Sequence, residues 1–359
     1  MTADDVREAP QARFRAYLKA IGQGPRTGRD LTREEARDAV DIILDGECTP
    51  AQAGGFLLLQ RYKGESLDEL LGFSDAYRAR AHLIRPAVQG LLDIGSPYDG
   101  RKKSIVVSPA SAIVAAAAGV PVVLHGEKDL GPKHGIPVGD VLEGLGIDID
   151  AEPPAVQLSI EQHGLGFMRQ ARFVPDVYAL RGLREEVTLR TVFATVEKVA
   201  NLASADYSII GLAHLPYMDK MLAAAAGNGF KRVLVLQGIE GNEDAPTSRP
   251  CRAFLAETHA GAPSDPQELR IDPADYGLIP ATKEEMAGGD ARHNADIAER
   301  IFAGEPGAYC DLVALNAGLR IWLAERAPDI ASGIKAACAA IDSGAARDKL
   351  AALRGVVAQ

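Results

Sequence analysis

Cysteine is sparse in this 359-residue chain: Cys48, Cys251, Cys310 and Cys338 stand far apart, with no Cys-x-x-Cys pair and no paired histidines beside them. That excludes a zinc-finger framework and a disulfide-stapled fold, and leaves buried free thiols as the expectation. A secretion signal is missing as well. Met1-Thr2-Ala3-Asp4-Asp5 opens acidic, without the basic stretch and apolar core that such a segment needs. No apolar run approaches the roughly 20 residues of a membrane-spanning helix, so the reading is a cytoplasmic protein with no membrane partner. Positive charge is not in excess either, because 39 Lys and Arg face 49 Asp and Glu for a formal net of −10. Such a balance argues against a surface coated uniformly for nucleic acid. The imbalance is uneven, since residues 1–104 carry 16 basic and 16 acidic side chains and leave the amino-terminal third free to present a basic face. There is no internal repeat and no low-complexity tract.

What is present is a large core, 47% hydrophobic residues over a length sufficient for two domains or one large α/β unit. Three helices are announced in quick succession by capping boxes: Thr32 with Glu35, Thr49-Pro50 with Gln52, and Ser66 with Glu69. Val40, Ile43 and Leu44, then Phe56, Leu57 and Leu59, then Leu67, Leu70 and Leu71 recur at helical spacing and require mutual packing. Residues 1–85 therefore read as a helical domain, with a hinge over 78–86. After Asp93 strands and helices alternate, as in Tyr207–Ile210, Pro216–Ala226 and Val233–Leu236, the βαβ order of a parallel sheet. Residues 176–205 are strongly helical and read as an insert returning to the helical domain, so the α/β domain comprises 86–175 and 206–359. Residues 240–299, rich in acid, Pro and Gly, read as loops and irregular strands. The fold class is α/β, a small all-helical domain joined to a larger α/β domain with a mostly parallel central sheet.

Chemistry concentrates between Asp93 and Gly146. Leu91–Gly95 is a short strand emptying into the turn Ser96-Pro97-Tyr98-Asp99-Gly100; Ser104–Val107 extends again. Ser108-Pro109 supplies an N-cap and a first-turn proline for the helix Ala110–Ala118. Pro121–Leu124 then delivers a loop, His125 to Gly135, in which Lys128, Lys133, His125 and His134 are placed to face one ligand. Glycine loops and helix N-termini bind phosphate through free N–H groups and the helix dipole; the same glycines also serve simple tight βα turns, and both readings stand at this point.

Several ordered runs resemble the anthranilate phosphoribosyltransferase family, glycosyltransferase family three, over nearly the whole chain. They are Ser108-Pro109-Ala110-Ser111-Ala112, His125-Gly126, Asp140 to Gly146, Leu315-Asn316-Ala317-Gly318 and Ala340-Ile341-Asp342-Ser343-Gly344. The resemblance implies the nucleoside phosphorylase/phosphoribosyltransferase architecture, a homodimer formed through the helical domain, and a site between the domains. There phosphoribosyl diphosphate, a phosphorylated sugar diphosphate, binds with Mg2+ and an acceptor attacks the ribose carbon. It also implies roles for Gly95, Asp99, Ser108, His125, Gly126 and Arg184 in substrate binding, with Arg184 greeting an acceptor carboxylate, and for Glu243 and Asp244 in holding the metal. No residue is implied as a covalent catalyst. The chain departs from the family pattern at Pro97 and Tyr98, which replace glycines, and at Val106, Leu124 and Glu127, which replace asparagine, lysine and asparagine. Pro97 removes an N–H, Tyr98 adds bulk where a phosphate lies, and Glu127 beside diphosphate repels it.

Two functions follow. One is a pentosyl transfer from a diphosphate-activated ribose at an altered donor site, acceptor unknown; the related pyrimidine nucleoside phosphorylases have no distinct signature here. The alternative is a catalytically inactive family member binding nucleic acid nonspecifically through a basic cleft of the dimer. Its candidate contacts are Arg26, Arg29, Arg33, Arg78, Arg80, Arg101, Lys102, Lys103, Arg169 and Arg172.

Overall fold

The computed structural model describes residues 9–24, 26–278, 280–282, 284 and 286–355; the acidic opening Met1–Asp5 lies outside them. Four helices come first, α1 (Pro10–Gly22), α2 (Arg33–Leu44), α3 (Pro50–Lys63) and α4 (Leu67–Ala79). All three capping boxes close: Thr32, Thr49 and Ser66 accept from the N–H three residues on, while Glu35, Gln52 and Glu69 reach back to the cap. Two otherwise orphaned donors are thereby satisfied at each start. Phe14, Phe56 and Phe73 meet in the bundle core at centroid distances of 5.4 and 6.1 Å.

The α/β part runs β1 (Leu92–Gly95), α5 (Ser108–Ala117), β2 (Val122–Gly126), α6 (Val138–Gly144), α7 (Pro153–His163) and β3 (Leu165–Arg169). Four short helices follow, α8 (Gln170–Phe173), α9 (Pro175–Ala179), α10 (Arg181–Val187) and α11 (Phe193–Val199), then β4 (Tyr207–Gly211), α12 (Met218–Gly227) and β5 (Arg232–Leu236). The chain continues through β6 (Cys251–His259), β7 (Ala262–Pro263) and β8 (Gln267–Ile271). It closes with α13 (Ala291–Phe302), α14 (Ala308–Leu323), α15 (Ile330–Asp342) and α16 (Ala345–Arg354).

The sheet order is β3-β2-β1-β4-β5-β6, with β1 to β5 parallel and β6 antiparallel to β5, β7 and β8. The register sets Ile94 beside Leu124 on one side and Ile209 on the other. Both faces are covered, which explains apolar runs without alternation. One face packs against α5 and α14, which α15 and α16 cover in turn; the other shares a core with the amino-terminal bundle, in which Val123, Ile210 and Val233 join Phe14, Phe56 and Phe193. Within α8 to α11, α10 touches α3 and α11 touches α4. Because the chain winds outward from β1 through β2 to β3 and then returns to lay β4 on the opposite side of β1, the sheet order reverses there. A crevice opens outside the carboxyl ends of β1 and β4, where open α/β sheets bind ligands.

Two local expectations are corrected. Ser104–Val107 does not join the sheet, and residues 251–271, expected to be irregular, form regular antiparallel strands. Strand β3 and helix α7 add elements that the sequence pattern does not announce. Neither β3 (Leu-Gly-Phe-Met-Arg) nor β6 contains a run of β-branched residues, so their pairing partners rather than local propensity make them strands. Among the described residues no helix is long and apolar enough to cross a membrane.

Candidate functional site

The loop after β5 carries Glu243 and Asp244 into full burial, so they are not a solvated turn. Asp244 is clamped by arginines from two sides: Arg320 Nη2 donates to Oδ1 at 2.7 Å, and Arg101 Nη2 donates to Oδ2. Burial pushes this carboxyl up, but Arg101 and Arg320 outweigh it and hold it below the ordinary range. Ser108 donates to both acids, to Asp244 Oδ2 at 2.9 Å and to Glu243 Oε1, which also accepts from Ser96 Oγ at 2.7 Å. Ser108 is therefore not the N-cap of α5, whose cap is Val107 without a side-chain bond; its hydroxyl is needed by the acids. Glu243 Oε2 is buried without a hydrogen-bond partner among the described residues. An orphaned carboxylate oxygen is a donor suited to a hard cation, so Glu243 fits a divalent ion, whereas both oxygens of Asp244 are engaged. Among the described residues no three His, Cys, Asp or Glu side chains converge as a metal set.

Beside this cluster lies a small cleft lined by Tyr98, Asp99, Arg184, Arg190, Glu197 and Lys198. Its volume of about 30 Å³ holds one or two waters. Asp99 is gripped by Arg190 through two bonds of 2.7 Å. Arg184, expected to meet an acceptor carboxylate, is buried and turns both terminal nitrogens to Glu197, Nη2 donating to Oε2 at 3.2 Å and Nη1 to Oε1. Gln170 Nε2 donates to the same Glu197 at 2.7 Å.

His125 is held from both ends, 3.0 Å from Asp93 Oδ1 through Nε2 and 3.0 Å from Tyr98 OH through Nδ1. A carboxylate only accepts, so Nε2 carries a proton toward Asp93, while Nδ1 meets the Tyr98 hydroxyl. Tyr98 is thus folded inward, and burial first, with Tyr77 and Glu197 near, pushes its phenol well above the ordinary value. Both ring nitrogens of His125 are thus engaged within the protein. Gly126 lies in β2 paired with Arg169, and an added Cβ would touch only Phe167. Gly95 ends β1 where a Cβ would come within 3.1 Å of the Lys198 carbonyl.

Several expectations about charge change. Glu127 is fully buried, and its charge is answered within the protein, accepting from Arg169 Nε at 2.6 Å and Ala171 N at 2.8 Å. Leu124 is core, with no outlet to the cleft, and Val106 packs in the same core while its N–H donates to Asn294. Lys128, Lys133 and His134 do not converge: they pair with Glu143, with Glu240, and with Asp129 and Glu185. Of the proposed basic groove, Arg29, Arg33, Arg80, Arg169 and Arg172 pair with nearby carboxylates. Arg78 donates to main-chain carbonyls and Arg101 is buried. Arg26, Lys102 and Lys103 remain without a carboxylate among the described residues.

Sequence reasoning missed Arg190, Glu197, Lys198 and Arg320. A signal existed for Arg320, a charge in the apolar helix Leu-Asn-Ala-Gly-Leu-Arg-Ile-Trp-Leu, which has to find a buried partner.

Known proteins share this framework. A model of the glycosyl transferase family a/b domain matches residues 91–347, and one of that family's helical bundle domain matches 15–81. The chain is similar to anthranilate phosphoribosyltransferases of Anaeromyxobacter dehalogenans (36% identity; 90% of this chain, 94% of the relative) and Haloarcula marismortui (37%; 95% and 100%). Among solved structures it resembles the anthranilate phosphoribosyltransferase of Thermus thermophilus, with TM-score 0.81, 31% identity and coverage of 95% and 98%. It shares the fold of the Saccharomyces cerevisiae enzyme in complex with PRPP and Mg, with TM-score 0.82, 18% identity and coverage of 96% and 98%. The matched bundle, the matched a/b domain and relatives aligned over nine-tenths of its length establish that the chain belongs to this glycosyl transferase family.

Proposed function

We propose that this chain transfers a phosphoribosyl group from a diphosphate-activated ribose, with Mg2+, to an acceptor in the cleft beyond β1 and β4. The observation that carries the reading is Glu243, a buried acid with one oxygen unpartnered among the described residues and the other bonded to Ser96 of the β1 loop, in a chain whose relatives are named for this transfer. When bound, Mg2+ supplies charge neutralisation on phosphate oxygens. Glu243 would hold it, while Ser96 and Ser108 fix the carboxylate through Oε1. Arg101 and Arg320 keep Asp244 ionised and immobile, so the loop stays in place. Tyr98, locked by His125 and Asp93, presents its ring as a cleft wall where the loop has lost the amide of residue 97. The donor site is thus altered in its amides and retained in its acids.

Calorimetry with phosphoribosyl diphosphate and Mg2+, against Glu243→Gln, tests the reading. Wild-type binding weakened at least about tenfold in the variant supports it, by analogy with losses at metal-orienting positions; no wild-type heat, or equal heat in both, sinks it. Leu58 and Tyr62 on α3 and Leu67 on α4 are exposed, Tyr62 at 93%, and this supports a homodimer formed through the helical domain. Light scattering of Tyr62→Glu would give a monomer from a dimer; an unchanged mass would remove that face from consideration.

A further inference from the structure

We propose that Lys198 is the anion-binding residue of this cleft, holding a phosphate or diphosphate group at the crevice between the carboxyl ends of β1 and β4. This assignment deepens the transfer reading and rests on it for the identity of the natural ligand. Position is the first reason. The Lys198 ammonium donates to the carbonyl of Gly211, the last residue of β4, at 3.3 Å, and its own carbonyl crowds Gly95, the last residue of β1. Side chain and backbone straddle the point where the sheet order reverses.

Charge is the second reason. The cleft is lined by three cations, and two are already neutralised, Arg184 by Glu197 and Arg190 by Asp99. Among the described residues no carboxylate oxygen lies within ion-pair distance of Lys198, so its charge is the one an incoming anion can satisfy. Next to it, Thr191 Oγ1 is buried with no hydrogen-bond partner among the described residues. An unpartnered hydroxyl and an ammonium with no carboxylate beside it, in one cleft, match a phosphate oxygen. Within the β1 loop, Pro97 has no N–H, and the amides of Ser96 and Gly100 are bonded to Ile94 and Pro97 carbonyls. The cleft volume requires its walls to separate by a few ångströms to admit the anion.

The site also carries a pH signature. Burial, then Arg190 across the cleft, pulls the Lys198 amine down to about 8, while Glu243, Asp99 and Glu197 act in the opposite sense. The cation is present below that pH and is lost above it, so anion affinity falls as pH rises through 8.

The experiment is calorimetric titration, with Mg2+ present throughout, of inorganic diphosphate, and separately phosphoribosyl diphosphate, into wild type, Lys198→Met and Lys198→Arg at pH 7 and 9. Wild type should bind inorganic diphosphate roughly tenfold or more tightly than Lys198→Met at pH 7, and the ratio should shrink about tenfold at pH 9, one unit above the amine's value. The ligand's own ionisation cancels in that ratio. Lys198→Arg should retain affinity without the step, and it guards against a misfolded methionine variant, as do thermal melts of all three proteins. Equal affinity of wild type and Lys198→Met for inorganic diphosphate, or no binding to wild type, overturns the assignment. If phosphoribosyl diphosphate binds both equally, Lys198 fails and the transfer reading stands. If inorganic diphosphate binds through Lys198 but phosphoribosyl diphosphate does not bind, the transfer reading fails and Lys198 stands.

Discussion

Replacing Glu240 with glutamine should unstaple three loops of the cleft at once. Glu240 follows β5, accepts from Lys103 N and Ser104 Oγ at 2.9 Å in the β1 loop, and pairs with Lys133 at 2.8 Å from the β2 loop. Its side chain is 15% exposed, so solvent screens these contacts little. Burial alone would raise the carboxyl, yet Lys133, the Lys103 amide and Ser104 outweigh it and bring it from 4.5 down to about 2. At roughly 1.4 kcal/mol per tenfold, that gap amounts to about 3 kcal/mol between the ionised and protonated forms. Glutamine mimics the protonated form, so the variant should lose about that much. With an unfolding entropy of about 2.1 cal/mol/K per residue, the melting temperature should drop by about 4 °C. The sign with pH follows from a depressed folded value: the stabilisation is complete above about 4.5 and is lost as pH falls toward 2. Differential scanning calorimetry of both proteins at pH 7 and pH 3 should show the difference shrinking by about 2 kcal/mol. Equal melting temperatures at pH 7, or a gap undiminished at pH 3, would refute the reasoning.

Arg320→Met should cost about 3–5 kcal/mol by leaving Asp244 with one arginine in full burial, and adding Asp244→Asn should restore part of it; urea midpoints of the single and double variants decide, and an unchanged single variant contradicts the clamp. Glu197→Gln should lower the melting temperature and free the Arg184 fork, so anthranilate, an aromatic carboxylate, should raise the melting point of the variant more than that of wild type. Equal ligand shifts would show that Glu197 does not compete for Arg184.

Short-range chemistry is legible wherever a residue's partner lies within one turn. Thr32, Thr49 and Ser66 announce their helices because each box is closed by a residue three positions on. The order of β1, β2, β4 and β5 is readable because strands buried on both faces are mostly apolar without alternation. Strands β3 and β6 are not, because antiparallel or edge pairing, not composition, makes them. The site divides the same way. Glu243 and Asp244 stand out as adjacent acids, but nothing local says that Arg101, 143 positions away, and Arg320, 76 positions away, close on Asp244.

The sequence by itself determined the helical bundle, the mostly parallel sheet and the family, since these follow from local caps, periodicity and ordered motifs. Only the tertiary structure decided which charges remain available. Arg184, His125, Glu127 and Asp99 are each answered by a partner from another element, and Lys198 is left without a carboxylate among the described residues. The physical reason is that pairing a buried charge depends on distance in space, and in this fold the partners come from different strands and helices brought together only at the carboxyl edge of the sheet.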